Sequence, residues 1–216
     1  MERIIASENF QNDPTARLLI DEIEQNSQQF DLGNAVAYYS YPIYKDFDDT
    51  LVRPDVLVLC PLHGVIIFSN LAEASGNREK IGVADDHINH FASMLFSKLI
   101  QSKRLREKRT KLRLPITPII FAPNTDLGKA EIETESIFCT SIQQIFKAIE
   151  SVRTPSALDE DTLQEARSVI EGAKALSKPK LRSVPDHGEI TLAGILNNLE
   201  SEIANFDEDQ RKAAIS

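Results

Sequence analysis

Asp55 is the residue of this chain whose type and position come closest to a hydrolytic metal site. It opens the run PDVLVLCPLHGVIIFSN, residues 54–70, which reads as two buried strands around a tight turn. Metal-dependent cleavage of a phosphodiester needs carboxylates from adjacent strands to hold Mg²⁺ against the phosphate, with a lysine or second metal to meet the charge of the transition state. Asp55 stands where the first carboxylate would stand, and it would be the metal ligand of such a site. The second strand ends on Ser69 and Asn70 followed by Leu71, so it supplies neither an acid nor a lysine. Asp55 therefore has two readings: a ligand, or a residue that opens a strand after a proline turn.

His87 and His90, in DDHINH, are three residues apart and share a helix face. With Asp86 they make a sparse metal cluster, or else ordinary surface histidines behind two acids, Asp85 and Asp86, that complement a helix N-terminus. The largest local charge is basic: Lys98, Lys103, Arg104, Arg106, Lys108, Arg109, Lys111 and Arg113, opposed only by Glu107. Such a tract forms a phosphate-contacting stripe whose DNA binding weakens with salt, or a solvated helix end. No aromatic residue is interleaved in it, so base stacking is not indicated. The chain holds no G-x-x-x-x-G-K-[ST] loop, no G-x-S-x-G elbow and no Cys/His pair at catalytic spacing, so ATP hydrolysis is not expected of it.

The elements that must carry these residues follow from periodicity. Apolar residues at 16, 19, 20 and 23 predict a helix over 14–29, capped by Asp13 and started by Pro14. Residues 35–44, AVAYYSYPIY, favour a strand that Pro42 confines to an edge or ends. Residues 56–60 and 65–68 are continuous apolar runs, hence strands buried on both faces. A helix is expected from Asp85, with Ile88, Phe91, Ala92, Leu95, Phe96 and Leu99 as its buried stripe. Strands over 114–122 and 135–140 and a helix over 141–151 complete an α/β domain with a mixed central sheet flanked by helices. An acidic-started helix beyond Pro155 and a Lys/Pro-rich linker lead to further helical pieces at 191–205 and from Asp207.

The 216 residues suffice for one domain and a smaller appendage. A net charge of −9 opposes binding to nucleic acid by the surface as a whole, so any such binding must use a local patch. Cys60 and Cys139 both sit in apolar runs and read as small core residues in a reducing compartment. The opening MERIIASENF has neither the basic start nor the apolar core of a signal peptide, and no apolar run reaches the ~20 residues of a membrane span. A cytoplasmic protein without membrane contact is expected.

Residues 54–70, the helix from Asp85 and LPITPIIFAPN at 114–124 together resemble the nuclease-related domain of the PD-(D/E)xK restriction-endonuclease-like superfamily. Its usual pattern is an acidic residue, a hydrophobic strand, a Gly turn and a strand ending in Glu-x-Lys. Asp55 matches the first position and Gly64 the turn, whereas Ser69 and Leu71 stand at the Glu and Lys positions. The resemblance implies a restriction-endonuclease-like core over 1–151, with Mg²⁺ a cofactor only if the site is active. In that case Glu73, or Glu22 or Glu24 from the first helix, would have to join Asp55, with Lys80 nearby. The end of the chain, FDEDQRKAAIS at 206–216, resembles the segment before the Walker A loop of UvrD/Rep-type superfamily I helicases, where a Gln recognises adenine. Gln210 matches that Gln. The resemblance implies three parts: residues 1–151, a helix and linker over 152–190, and the start of a truncated helicase domain over 191–216. The expected function is a nuclease-like accessory region of an ATP-dependent DNA helicase, catalytically degenerate, binding DNA or docking a partner, with the motor in cis and ATP bound only by the full-length parent. Two rivals remain at this point: a nuclease rebuilt around Asp55, and a protein-binding module supported by the net charge and the acidic helix from Asp159.

Overall fold

The computed structural model describes residues 1–46, 48–72, 78–123, 125 and 133–172. Glu73, Gln210, and the expected linker and helices beyond residue 172 lie outside the described residues. In chain order the elements are β1 (Glu2–Ile5), α1 (Pro14–Gln25), β2 (Val36–Tyr39), β3 (Tyr44–Lys45), β4 (Leu51–Val52), β5 (Val56–Cys60) and β6 (Gly64–Asn70). They continue with α2 (Arg78–Leu99), β7 (Arg106–Lys108), β8 (Lys111–Leu112), β9 (Ile116–Phe121), β10 (Ile137–Cys139), α3 (Ile142–Ser151) and α4 (Glu160–Ile170).

Six strands form one mixed sheet in the order β1-β2-β5-β6-β9-β10. The pairs β2–β5 and β5–β6 are antiparallel, and the other three pairs are parallel. Five strands therefore run one way and β5 alone runs the other. The C-terminal ends of those five strands share an edge with the N-terminal end of β5, which puts Asp55 on it. Alternation along the strands splits the core into two. Val36, Tyr38, Leu57, Leu59, Val65, Ile67 and Ile120 face α2 and α4, while Ala37, Tyr39, Val56, Val58, Ile66, Phe68 and Ile119 face α1 and α3. A sheet covered on both faces requires unbroken apolar strands, which is why 56–60 and 65–68 carry no polar alternation. The expected mixed sheet flanked by helices is thus present.

The β5–β6 turn fixes the sheet's register. Gly64 has φ +71°, and a Cβ there would collide with the backbone oxygen and ring of Pro115. Glycine is required twice over, once for the left-handed backbone and once for the approach of the segment leading into β9. Val65 donates its N–H to the Pro115 carbonyl at 2.9 Å, so the start of β9 is held at this turn.

Several boundaries differ from expectation. The first helix stops at Gln25, where Asn26 caps it by donating its backbone N–H to the Glu22 and Glu24 carbonyls. The strand expected over 35–44 ends at Tyr39, because Ser40 takes φ +52° and Pro42 follows. The second long helix begins at Arg78, seven residues before Asp85, and carries Gly82 in its interior. Most of the basic tract, read as a phosphate-contacting stripe or a helix end, folds as a hairpin, β7–β8. Residues 2–5, unassigned by periodicity, pair as an edge strand on β2 with Glu2 opposite Val36. Helix α4 contributes Leu163, Ala166 and Ile170 to the core on the α2 face, and the compact unit spans Met1–Ala175. Among the described residues no helix is long and apolar enough to cross a membrane.

Candidate functional site

Asp55 is wedged between the central strands at the shared edge. Its N–H donates to the Phe68 carbonyl at 3.1 Å, and its carbonyl accepts from Ser40 at 2.9 Å. Its carboxylate accepts from the backbone N–H of Asn70 at 2.7 Å. Val56 pairs with Phe68, so extending the antiparallel register by one residue sets Asp55 against Ser69. By alternation both belong to the α2 face, together with Leu71, which packs against the core there. Burial raises the Asp55 carboxyl above its ordinary value, the Asn70 N–H pulls it down, and the Asp13 carboxylate raises it again; His87 and Arg53 favour its charge. Asp13 caps α1 by accepting from the Ala16 N–H at 2.9 Å, and it accepts from the Tyr39 hydroxyl at 3.2 Å.

A half-buried carboxyl with a raised pKa can exchange a proton or hold one ligand position of a cation. It cannot alone hold a hard dication against a phosphate. The position across from it is Ser69, which has no charge, and Leu71 is apolar. Among the described residues no group of three or more His, Cys, Asp or Glu side chains is placed to hold a metal. The Asn70 side-chain amide is buried beside the edge with neither of its polar atoms hydrogen-bonded. Among the described residues, the donor set at this edge does not fit Mg²⁺.

The other candidates from the sequence do not gather here. Asp13, at the start of α1, is the helix-one acid that Asp55 feels; Glu22 lies nine residues further on, about 13 Å along the axis. Glu22 accepts from the Asn26 side chain, and Glu24 pairs with Arg3 on β1, so neither is a partner for Asp55. His87 is exposed, and His90 turns instead to Asp46 at 2.8 Å, so the two histidines do not converge with Asp86. Asp85 is not a helix start. It is buried mid-helix, and its carboxylate accepts from the N–H groups of Glu135 and Ser136 at 2.9 and 3.0 Å. Burial opposes its charge, but the hydrogen bonds from Ser136 and Glu135 outweigh that and hold its carboxyl below the ordinary value. Asp85 thereby ties α2 to the entry of β10.

The structure also makes a Cys/His pair that spacing did not reveal. Cys60 Sγ lies 3.4 Å from His63 Nδ1 at the β5–β6 turn. Both are fully buried; burial raises the thiol and lowers the imidazole, so the thiolate and imidazolium that nucleophilic chemistry requires are both disfavoured. Cys139 is free and buried as well.

The basic tract lies at the opposite end of the sheet from Asp55. Arg113 is two residues before Pro115, which abuts the β5–β6 turn, and the seven residues of β6 separate that turn from Asn70 by about 20 Å. Arg106 and Lys108 stand on β7, Arg109 at the hairpin tip and Lys111 on β8. Lys98 ends α2 with its ammonium 4.6 Å from the centre of the Tyr44 ring. Lys111 pairs with Glu107 at 2.7 Å and Arg104 with Asp161 at 3.7 Å. Lys103, Arg106, Lys108, Arg109 and Arg113 form no ion pair among the described residues. Beside the hairpin is a cleft of about 850 Å³, lined also by residues 152–159. Phe96, expected in the buried stripe of α2, instead lines this cleft and is 38 % exposed.

Comparison with known protein families, curated proteins and solved structures gives no match to this chain.

Proposed function

We propose that this chain is a nuclease-like, catalytically degenerate DNA-handling region that serves a superfamily I ATP-dependent DNA helicase in the cytoplasm. The observation that carries the reading is the pairing at the sheet edge: an acidic residue at the start of one central strand faces the end of the next across a Gly turn, within a mixed sheet covered by helices. That arrangement supports a restriction-endonuclease-like reading, with Ser69 and Leu71 standing where the acid and lysine of its metal chemistry would be needed. Loss of the ligand set leaves binding as the function retained, and the hairpin, whose Arg106, Lys108 and Arg109 form no ion pair among the described residues, is the feature fitted to it. On this reading ATP belongs to the motor of the full-length parent, where Gln210 would meet adenine.

The test is a titration of labelled single-stranded, duplex and forked DNA with Mg²⁺, Mn²⁺ or EDTA at two salt concentrations. Salt-sensitive binding without cleavage, unchanged by Asp55→Ala, is the expected result. Metal-dependent cleavage lost on Asp55→Ala would overturn the degenerate reading and favour an active site rebuilt around that carboxylate.

A further inference from the structure

We propose that the cleft beside the β7–β8 hairpin takes a single strand of nucleic acid, with phosphates along the hairpin and a base on the ring of Phe96. The proposal rests on the DNA-handling reading and names the strand form that reading leaves open. Phe96 is the observation that carries it. Its neighbours in the helix stripe, Phe91, Leu95 and Leu99, are fully buried, while Phe96 keeps 38 % of its surface in water at the cleft's rim. Lys111 and Arg113 line the same cleft, and Leu114 and Pro115 give it an apolar flank. The cleft's carboxylates are already engaged. Glu107 holds Lys111, and Asp159 accepts from both the N–H and the hydroxyl of Thr162. Arg113 offsets those two acids at longer range. Lys108 and Arg109, at the hairpin tip, are exposed and unpaired among the described residues, ready for phosphates.

Strand form follows from the aromatic. In a duplex the base faces are covered by their neighbours, so a ring can reach one only where a base is unstacked. A basic hairpin without an aromatic would accept duplex and single strand alike through their phosphates. The combination of cations, cleft and exposed ring selects the single strand.

The chain contains no tryptophan, so Phe96→Trp installs a lone fluorophore at the proposed stacking position. Binding of a 20-nucleotide single strand and of its duplex would be measured by anisotropy across a salt series, with Trp emission followed in F96W. Expected are tighter binding of the single strand, quenching of the Trp by single strand alone, and an approximately tenfold loss of single-strand affinity in F96A with duplex binding unmoved. K108Q/R109Q should flatten the logarithmic salt dependence by about 0.7 per cation removed. Binding that responds to K108Q/R109Q but not to Phe96, or that prefers duplex, would overturn the single-strand assignment and leave the DNA-handling reading intact. Failure of either DNA to bind would overturn that reading itself. Displacement of the single strand by polyglutamate at equal charge would replace the nucleic acid with an acidic protein partner and overturn the proposal.

Discussion

At the scale of single residues, Asp55 holds its place against its own electrostatics. Burial raises its carboxyl, so its charged form is a cost to the fold. A group with a raised folded pKa contributes stability below its unfolded value, and loses that contribution as pH rises through the folded value. Asp55→Asn removes the cost and keeps an oxygen for the Asn70 N–H. The variant should therefore melt higher than the wild type at pH 7, with the gap closing as pH falls toward 4, measured as the difference in Tm across a pH series. The strand-start position of Asp55 and the turn at Gly64 are legible because buried apolar runs flank them. Phe96 is not, since periodicity places it at the border of the helix stripe and only the neighbouring hairpin decides which side is water. Asp85 misled for a related reason: its hydrogen-bond partners lie 50 and 51 residues away, so nearby sequence offered only the helix-start explanation.

Among the elements, the β5–β6 turn is the one that tolerates least change. Gly64→Ala combines a strained left-handed backbone with a collision against Pro115, and each effect costs about 1–3 kcal/mol. Urea unfolding should show a loss of about 3 kcal/mol or more, with Asp55 and the start of β9 disturbed together because both hang on β6. Long periodic elements such as α1, α2 and α3 announce themselves, since an amphipathic helix carries its signal within its own sequence. β1, β7 and β8 do not. They are two to four residues long, and β1 becomes a strand only because a partner more than thirty residues away supplies its hydrogen bonds. The basic tract could be read for its charge but not for its shape, and the shape is what puts it at the opposite end of the sheet from Asp55.

For the molecule as a whole, the α2 face of the core is unfinished without α4. Leu163 and Ala166 pack there with Ile170, and Tyr38 donates its hydroxyl to Glu171 at 3.0 Å. Cutting the chain at 151 removes three buried apolar side chains at once, of which Leu163 and Ile170 are each of the size that stabilises a core by about 1.5–3 kcal/mol. A fragment of residues 1–151 should bind a hydrophobic dye and lose amide NMR dispersion, while 1–172 keeps a folded spectrum. The same helix ties the first strand: Arg167 grips both carboxylate oxygens of Glu2 at 2.6 and 2.7 Å. Start and finish of the α/β unit thus meet at one ion pair, so the unit is closed on itself like a loop with a clasp. Its order along the gene is then a matter of where the clasp is opened, and a circular permutant joined between residues 172 and 2 and cut at the Arg109 hairpin tip would keep every strand neighbour it has now.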